Sequence, residues 1–137
     1  MNAFIDTSSM FRKYIQEAGS DVLDKLLDKT TQITVAPTFL LEANSGIHRR
    51  LQERTITLQQ AEFLRHEIKV DYVFYARIIW DDALEEKSLD MINKHHLRTL
   101  DSIQLASGIL SNADIFATSD KQLYFAAKKE LKNVALI

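Results

Sequence analysis

Residues 1–8 read Met1-Asn2-Ala3-Phe4-Ile5-Asp6-Thr7-Ser8, a short apolar stretch that stops at a carboxylate. Its composition predicts a buried strand over 2–6. Met10, Phe11, Tyr14, Ile15 and Ala18 then recur at helical spacing, and Gly19 is placed to end that helix. The same figure returns near the other end. Ile115-Phe116-Ala117-Thr118-Ser119 predicts a strand over 114–118, closed by Asp120 and followed by a helix over 120–131.

Between these two units the pattern keeps alternating. Ser20 can cap a helix whose face is Val22, Leu23, Leu26 and Leu27. Ile33 to Ala36 is a second strand, stopped by Pro37. Thr38 can cap a helix carrying Phe39, Leu40, Ala43, Ile47 and Leu51, and Thr57 with Gln60 has capping-box spacing for another bearing Ala61, Leu64 and Ile68. Tyr72 to Trp80, rich in aromatic and β-branched residues, predicts a third strand. Leu84, Ser88, Met91 and Ile92 predict a helix up to His95-His96. Thr99 can cap a helix from Leu100 to about Leu110, and residues 133–137 form a last strand. Five strands separated by helices or helix pairs predict a three-layer α/β domain, 1–137, with a mainly parallel sheet.

Composition narrows the function. Three Gly and one Pro argue against a turn-rich all-β fold, and the lack of Cys excludes disulfides and Cys-ligated zinc. The Cys-free composition suits a reducing cytosol, and no signal-peptide pattern or membrane-spanning run is visible, so a cytoplasmic location is the expectation. Net charge is −2, which is not the footprint of a general nucleic-acid binder. Four of the 19 acidic residues nevertheless stand in apolar surroundings, and without them 15 face 17 Lys and Arg. A mildly basic surface around an acidic pocket fits those numbers.

The four are Asp6, Glu42 within Phe39-Leu40-Leu41-Glu42-Ala43, Asp101 before Ile103-Gln104-Leu105-Ala106, and Asp120. Ionised side chains rarely occupy such stretches unless paired or bound to a metal. In a parallel α/β sheet, ligands collect beyond the carboxyl ends of the strands, and all four residues can face that edge. Oxygen-only donors suit Mg²⁺ or Mn²⁺, which can orient a phosphate and activate water. Simpler roles exist for three of them. Asp101 and Asp120 could serve helix N-termini, the latter with Ser119 and Gln122 at capping-box spacing, and Asp6 could belong to a polar turn. Glu42 lies one place beyond the reciprocal capping position from Thr38, so a cap does not explain it.

The segments Phe4-Ile5-Asp6-Thr7-Ser8, Thr38-Phe39-Leu40-Leu41-Glu42, Leu97-Arg98-Thr99-Leu100-Asp101-Ser102-Ile103-Gln104-Leu105-Ala106 and Ala117-Thr118-Ser119-Asp120-Lys121 resemble, in order, the signature segments of PIN domains, nearest to the bacterial VapC-type toxins. The resemblance runs from Asp6 to about Ala127. It implies a sheet of order 3-2-1-4-5, endoribonuclease activity with Mg²⁺ or Mn²⁺, a homodimer, and a small antitoxin as inhibitor. It makes Asp6, Glu42, Asp101 and Asp120 the catalytic, metal-binding set, with Thr7 and Thr118 or Ser119 as supporting polar groups. Gln104 departs from the pattern, standing where many VapC-type toxins carry His, and Ser102 stands where a small apolar residue is common.

Two readings from other classes compete: a catalytically silent PIN-fold binding module, and a DNA nuclease or phosphatase using the same acidic cluster. A haloacid dehalogenase-like phosphatase would need a second Asp where Ser8 stands. No Gly-rich phosphate loop or zinc-spaced histidine set is present, and His95-His96 reads as a solvated helix end. Arg98, near Asp101, and Lys121, beside Asp120, are the first candidates for RNA phosphate contact; Arg12, Arg49, Arg50 and Arg54 read first as solvated helix faces, with a few of them at the cleft mouth as the functional alternative. The helix pair over about 38–69, with residues 8–29, is expected to supply a dimer or antitoxin surface through Phe39, Phe63 and Leu64.

Overall fold

The computed structural model describes all 137 residues. Five strands, β1 (Asn2–Ile5), β2 (Gln32–Val35), β3 (Ala76–Arg77), β4 (Ile115–Thr118) and β5 (Val134–Leu136), form one sheet of order β3-β2-β1-β4-β5. Every pairing is parallel. Helices α1 (Thr7–Tyr14) and α2 (Ser20–Leu27) link β1 to β2, and α3 (Phe39–Gln52) and α4 (Leu58–Tyr72) link β2 to β3. Helices α5 (Asp82–His95) and α6 (Thr99–Leu110) precede β4, and α7 (Lys121–Glu130) precedes β5. No helix is long and apolar enough to cross a membrane.

Alternation along β1 divides the interior. Ala3 and Ile5 join a core with Met10, Phe11, Leu23, Phe39 and Ile47 under α1–α4, whereas Phe4 faces a second core with Leu84, Leu105, Phe116 and Leu123 under α5–α7. Strands buried on both faces are what a fully parallel sheet requires. The outcome is the three-layer α/β domain read from the alternation of elements.

Several local expectations fail for identifiable reasons. Helix α1 stops at Tyr14 because Ile15 turns extended, and Gly19 (φ 93°) starts α2 instead of ending α1. Ser20 lies inside α2, where its hydroxyl donates to Ile15 O and accepts from Glu17 N, so it braces the loop and does not cap the helix. The expected strand over Tyr72–Trp80 shrinks to two residues. Tyr72 and Tyr75 pack on Phe39 at 5.8 and 5.9 Å, which holds α4 helical through Tyr72. Tertiary packing thereby overrides β-propensity. Phe39 and Leu64 are core residues, so of the three apolar residues expected on an association surface only Phe63 is exposed. The His95 side chain is 5% exposed and pairs with Glu130 at 2.8 Å, which removes it from the solvated end expected for the His95-His96 pair. The capping box of Thr57 and Gln60 is present as read.

Candidate active site

Parallel strands deliver their C-terminal ends to one edge, and Asp6 is the first residue beyond β1 there. Its backbone N–H still donates to Ala117 O of β4 at 2.9 Å, which fixes the side chain between the two central strands. Asp6 is 4% exposed. Ser8 Oγ and Thr118 Oγ1 both donate to its Oδ2, at 2.5 and 2.8 Å, and no group donates to Oδ1. Burial pushes its pKa up to about 6; the two hydroxyls pull it down, and the charges of Glu42 and Asp101 push it up again.

Glu42 is the fourth residue of α3, the helix that follows β2. Thr38 makes no cap bond; its hydroxyl donates to Glu42 Oε1 at 2.5 Å, and Gln104 Nε2 donates to the same oxygen at 2.8 Å. Burial raises the Glu42 pKa, and Asp101 adds to the rise. Asp101 is in the first turn of α6, capped at Arg98 rather than Thr99. Its pKa is also raised, first by burial and then by Asp120, with Arg98 opposing. Charge repulsion thus links Asp6 to Glu42 and Asp101, Glu42 to Asp101, and Asp101 to Asp120. None of them has a lysine, arginine or histidine at ion-pair distance.

Asp120 has a structural duty as well. It is the N-cap of α7, its Oδ1 accepting from Leu123 N at 2.9 Å, so the capping role falls to Asp120 and not to Ser119. This separates two variants. Asp120→Asn keeps a good cap and removes the charge, so its melting temperature stays near the wild type; Asp120→Ala loses about 1 kcal/mol. Thermal melts of the pair measure the cap, and RNA cleavage by Asp120→Asn measures the charge. A cleavage rate unchanged in Asp120→Asn would confine Asp120 to the cap.

The supporting groups resolve in the same way. Thr118 is fully buried and bridges the site, donating to Asp6 and accepting from Asp120 N at 3.1 Å. Ser119 instead pairs with Ser9 at 2.8 Å, tying α1 to the β4–α7 turn. Thr7 Oγ1 accepts from Gln104 Nε2 at 3.1 Å. Arg98 and Lys121 are exposed and form no ion pair. Three positioning residues escaped the functional reading: Ser8, Thr38 and Gln104. Gln104 carried a signal, since a polar side chain within Ile103-Gln104-Leu105-Ala106 has to find partners once buried.

No three acidic or histidine side chains stand close enough to enclose an ion directly. The donor set still suits a hard cation. It is all oxygen and without a basic partner, and the hydrogen bonds of Asp6 and Glu42 fall on one oxygen of each carboxylate. The buried Gln104 Oε1 lacks a donor beside it. Mg²⁺ retains several waters, so a site that does not close on a bare ion is compatible with it.

This arrangement at the strand ends of a 3-2-1-4-5 sheet has a family. Residues 3–129 match the PIN domain. The chain belongs to the PIN domain family. The fold of this PIN domain is similar to that of FitAcB from Neisseria gonorrhoeae, at 14% identity over 96% of this chain and 95% of that one, TM-score 0.70. It is also similar to PAE2754 from Pyrobaculum aerophilum, at 16% identity over 96% of this chain and 88% of that one, TM-score 0.68. VapBC2 from Rickettsia felis, bound to a DNA fragment from its promoter, aligns at 14% identity over 100% and 98% of the two chains, TM-score 0.66. At such identities the likeness is one of fold. No curated protein matches the sequence.

Proposed function

We propose that this PIN domain is a divalent-metal-dependent endoribonuclease and the toxin of a toxin–antitoxin pair, working with Mg²⁺ or Mn²⁺ in the cytoplasm as a homodimer. The observation that carries the reading is the run of carboxylates Asp6, Glu42, Asp101 and Asp120, partly or wholly buried and without a cationic partner. A fold spends stability to keep such a cluster, and a bound cation returns it. Family membership, and the likeness of the signature segments to VapC-type toxins, support the toxin–antitoxin setting.

Asp6, Glu42, Asp101 and Asp120 would hold the ion, Asp120 through the oxygen that its cap bond to Leu123 N does not use. A divalent ion at such a site supplies Lewis-acid activation of water and neutralises charge building on a phosphodiester. The protein's own groups prepare the rest. Ser8 and Thr118 hold Asp6 Oδ2 and leave Oδ1 without a donor, and Thr38 and Gln104 hold Glu42 Oε1 in the same way. Arg98, at the start of the helix carrying Asp101, would meet a substrate phosphate.

The test is cleavage of single-stranded RNA with Mn²⁺, with EDTA, and by Glu42→Gln. The expected result is Mn²⁺-dependent scission that EDTA abolishes and Glu42→Gln reduces at least ~100-fold. Single-stranded DNA run alongside separates RNA from DNA cleavage. Cleavage that persists in EDTA would end the metal-dependent reading, and cleavage of DNA alone would replace the substrate.

A further inference from the structure

A cavity of about 530 Å³ opens beside the acidic site, between α1 and α3. Thr7, Ser8 and Glu42 line one part of it and Arg12, Arg49 and Arg50 another, so it joins the carboxylates to a basic wall. The guanidinium groups of Arg12 and Arg50 are held in place. Arg12 Nε donates to Ala18 O at 2.6 Å and its Nη1 to Ser8 O at 3.0 Å. Arg50 Nη1 donates to Gly46 O at 3.3 Å, and its guanidinium stacks 4.3 Å from the centre of the Phe11 ring.

Gly46 explains how that stack is possible. A Cβ at this position would come within 2.5 Å of Phe11 Cζ, so the ring can lie against α3 only because residue 46 has none. Glycine inside a helix costs about 1 kcal/mol relative to alanine. The fold accepts that cost to seat the ring that carries Arg50.

Both arginines face one carboxylate, Glu17, loosely. The separations are 4.0 Å from Arg12 Nη1 and 3.7 Å from Arg50 Nη2, beyond hydrogen-bond length. Two fixed guanidinium groups around an anion at such distances retain donors for a better one. Arg49 is exposed and unpaired at the rim. Guanidinium forks match the tetrahedral oxygens of phosphate.

We propose that Arg12 and Arg50, with Arg49 at the rim, form a phosphate subsite for the RNA strand next to the acidic centre, and that Glu17 occupies this subsite in the free protein. The inference rests on the nuclease reading and assigns the path of the strand: away from Glu42 along the α1–α3 cleft. Glu17 is then a competitor that substrate displaces, which sets a modest brake on nonspecific RNA binding.

The experiment is fluorescence anisotropy of a labelled 12-nucleotide single-stranded RNA against the full chain over a salt series, all in an Asp6→Asn background that suppresses cleavage. Arg50→Met is expected to weaken binding about tenfold and to flatten the slope of log K against log salt by about 0.7, the loss of one phosphate contact. Arg12→Met should behave alike. Glu17→Gln should tighten binding severalfold. Should Arg50→Met fold poorly by its melting curve, Arg49→Met and Glu17→Gln carry the test. An Arg50→Met affinity and slope equal to the parent would overturn the subsite and leave the nuclease reading standing. Weaker binding in Glu17→Gln would overturn the displacement. A parent that binds a poly-glutamate peptide but no RNA would overturn the phosphate assignment in favour of an acidic protein segment.

Discussion

Replacing Asp6 by Asn is expected to abolish metal-dependent RNA cleavage and to raise the melting temperature of the metal-free protein by several degrees at neutral pH. Both effects come from one carboxylate. The folded protein holds the Asp6 proton up to about pH 6, against an ordinary value of 3.8. Stability from this group is therefore complete below about pH 3.8 and is lost as the pH rises through about 6. The loss is about 3 kcal/mol by linkage. Burial also raises Glu42 and Asp101, so the metal-free wild type should become less stable from pH 4 to 7 by more than Asp6 alone accounts for. Asparagine fits the same place, because its Oδ1 can accept from Ser8 and Thr118, and it carries no charge to desolvate. Cleavage should fall at least ~100-fold, since even outer groups around a metal cost 10–100-fold when removed. Melts in EDTA across pH and cleavage in Mn²⁺ read both halves. An Asp6→Asn protein that melts lower yet still cuts RNA would make Asp6 structural.

The largest loss of stability is expected at Phe116. Its ring is 2% exposed and stacks on Phe4 at 5.3 Å, beneath α6, which carries Asp101 and Gln104. Phe116→Ala should cost about 3–5 kcal/mol. Gly108 gives this prediction a second side. A Cβ there would lie 2.3 Å from Phe116 Cδ2, so Gly108→Ala alone should destabilise by about 1–3 kcal/mol of overpacking, less up to ~1 gained in helix propensity. With Phe116 truncated the clash is gone, and Gly108→Ala should become neutral or stabilising. Urea melts of the double-mutant cycle decide it. The same sign for Gly108→Ala in both backgrounds would mean that α6 is not held at its distance by this ring.

What the sequence made legible follows from which interactions are local. Strand–helix alternation, the Thr57–Gln60 capping box and the parallel sheet all depend on short-range pattern and were readable. The four carboxylates were noticeable because each interrupts an apolar run, a contradiction visible without a structure. Elements decided by distant partners were not readable. The third strand is overextended because Tyr72 and Tyr75 serve a ring cluster with Phe39 instead of strand pairing, while Phe74 and Trp80 are exposed. Helix α1 was overextended because the stop at Ile15 depends on Arg12 and Ser20 bonding to loop backbone. Within the site, the acids were legible and their orienting donors were not. Ser8 and Thr118 reach Asp6 from different elements, and Gln104 meets Glu42 across 62 residues of chain.

The measurement that bears most directly on the cation site needs no knowledge of the RNA target. Mn²⁺ is titrated calorimetrically into the wild type and into Asp6→Asn near pH 6, in two buffers of different ionisation enthalpy. The expected result is saturable uptake by the wild type with release of protons, because a cation displaces protons that the raised carboxylates retain, and loss of that uptake in Asp6→Asn. Equal Mn²⁺ binding by the two proteins, or none by the wild type, would contradict a cation site built on Asp6.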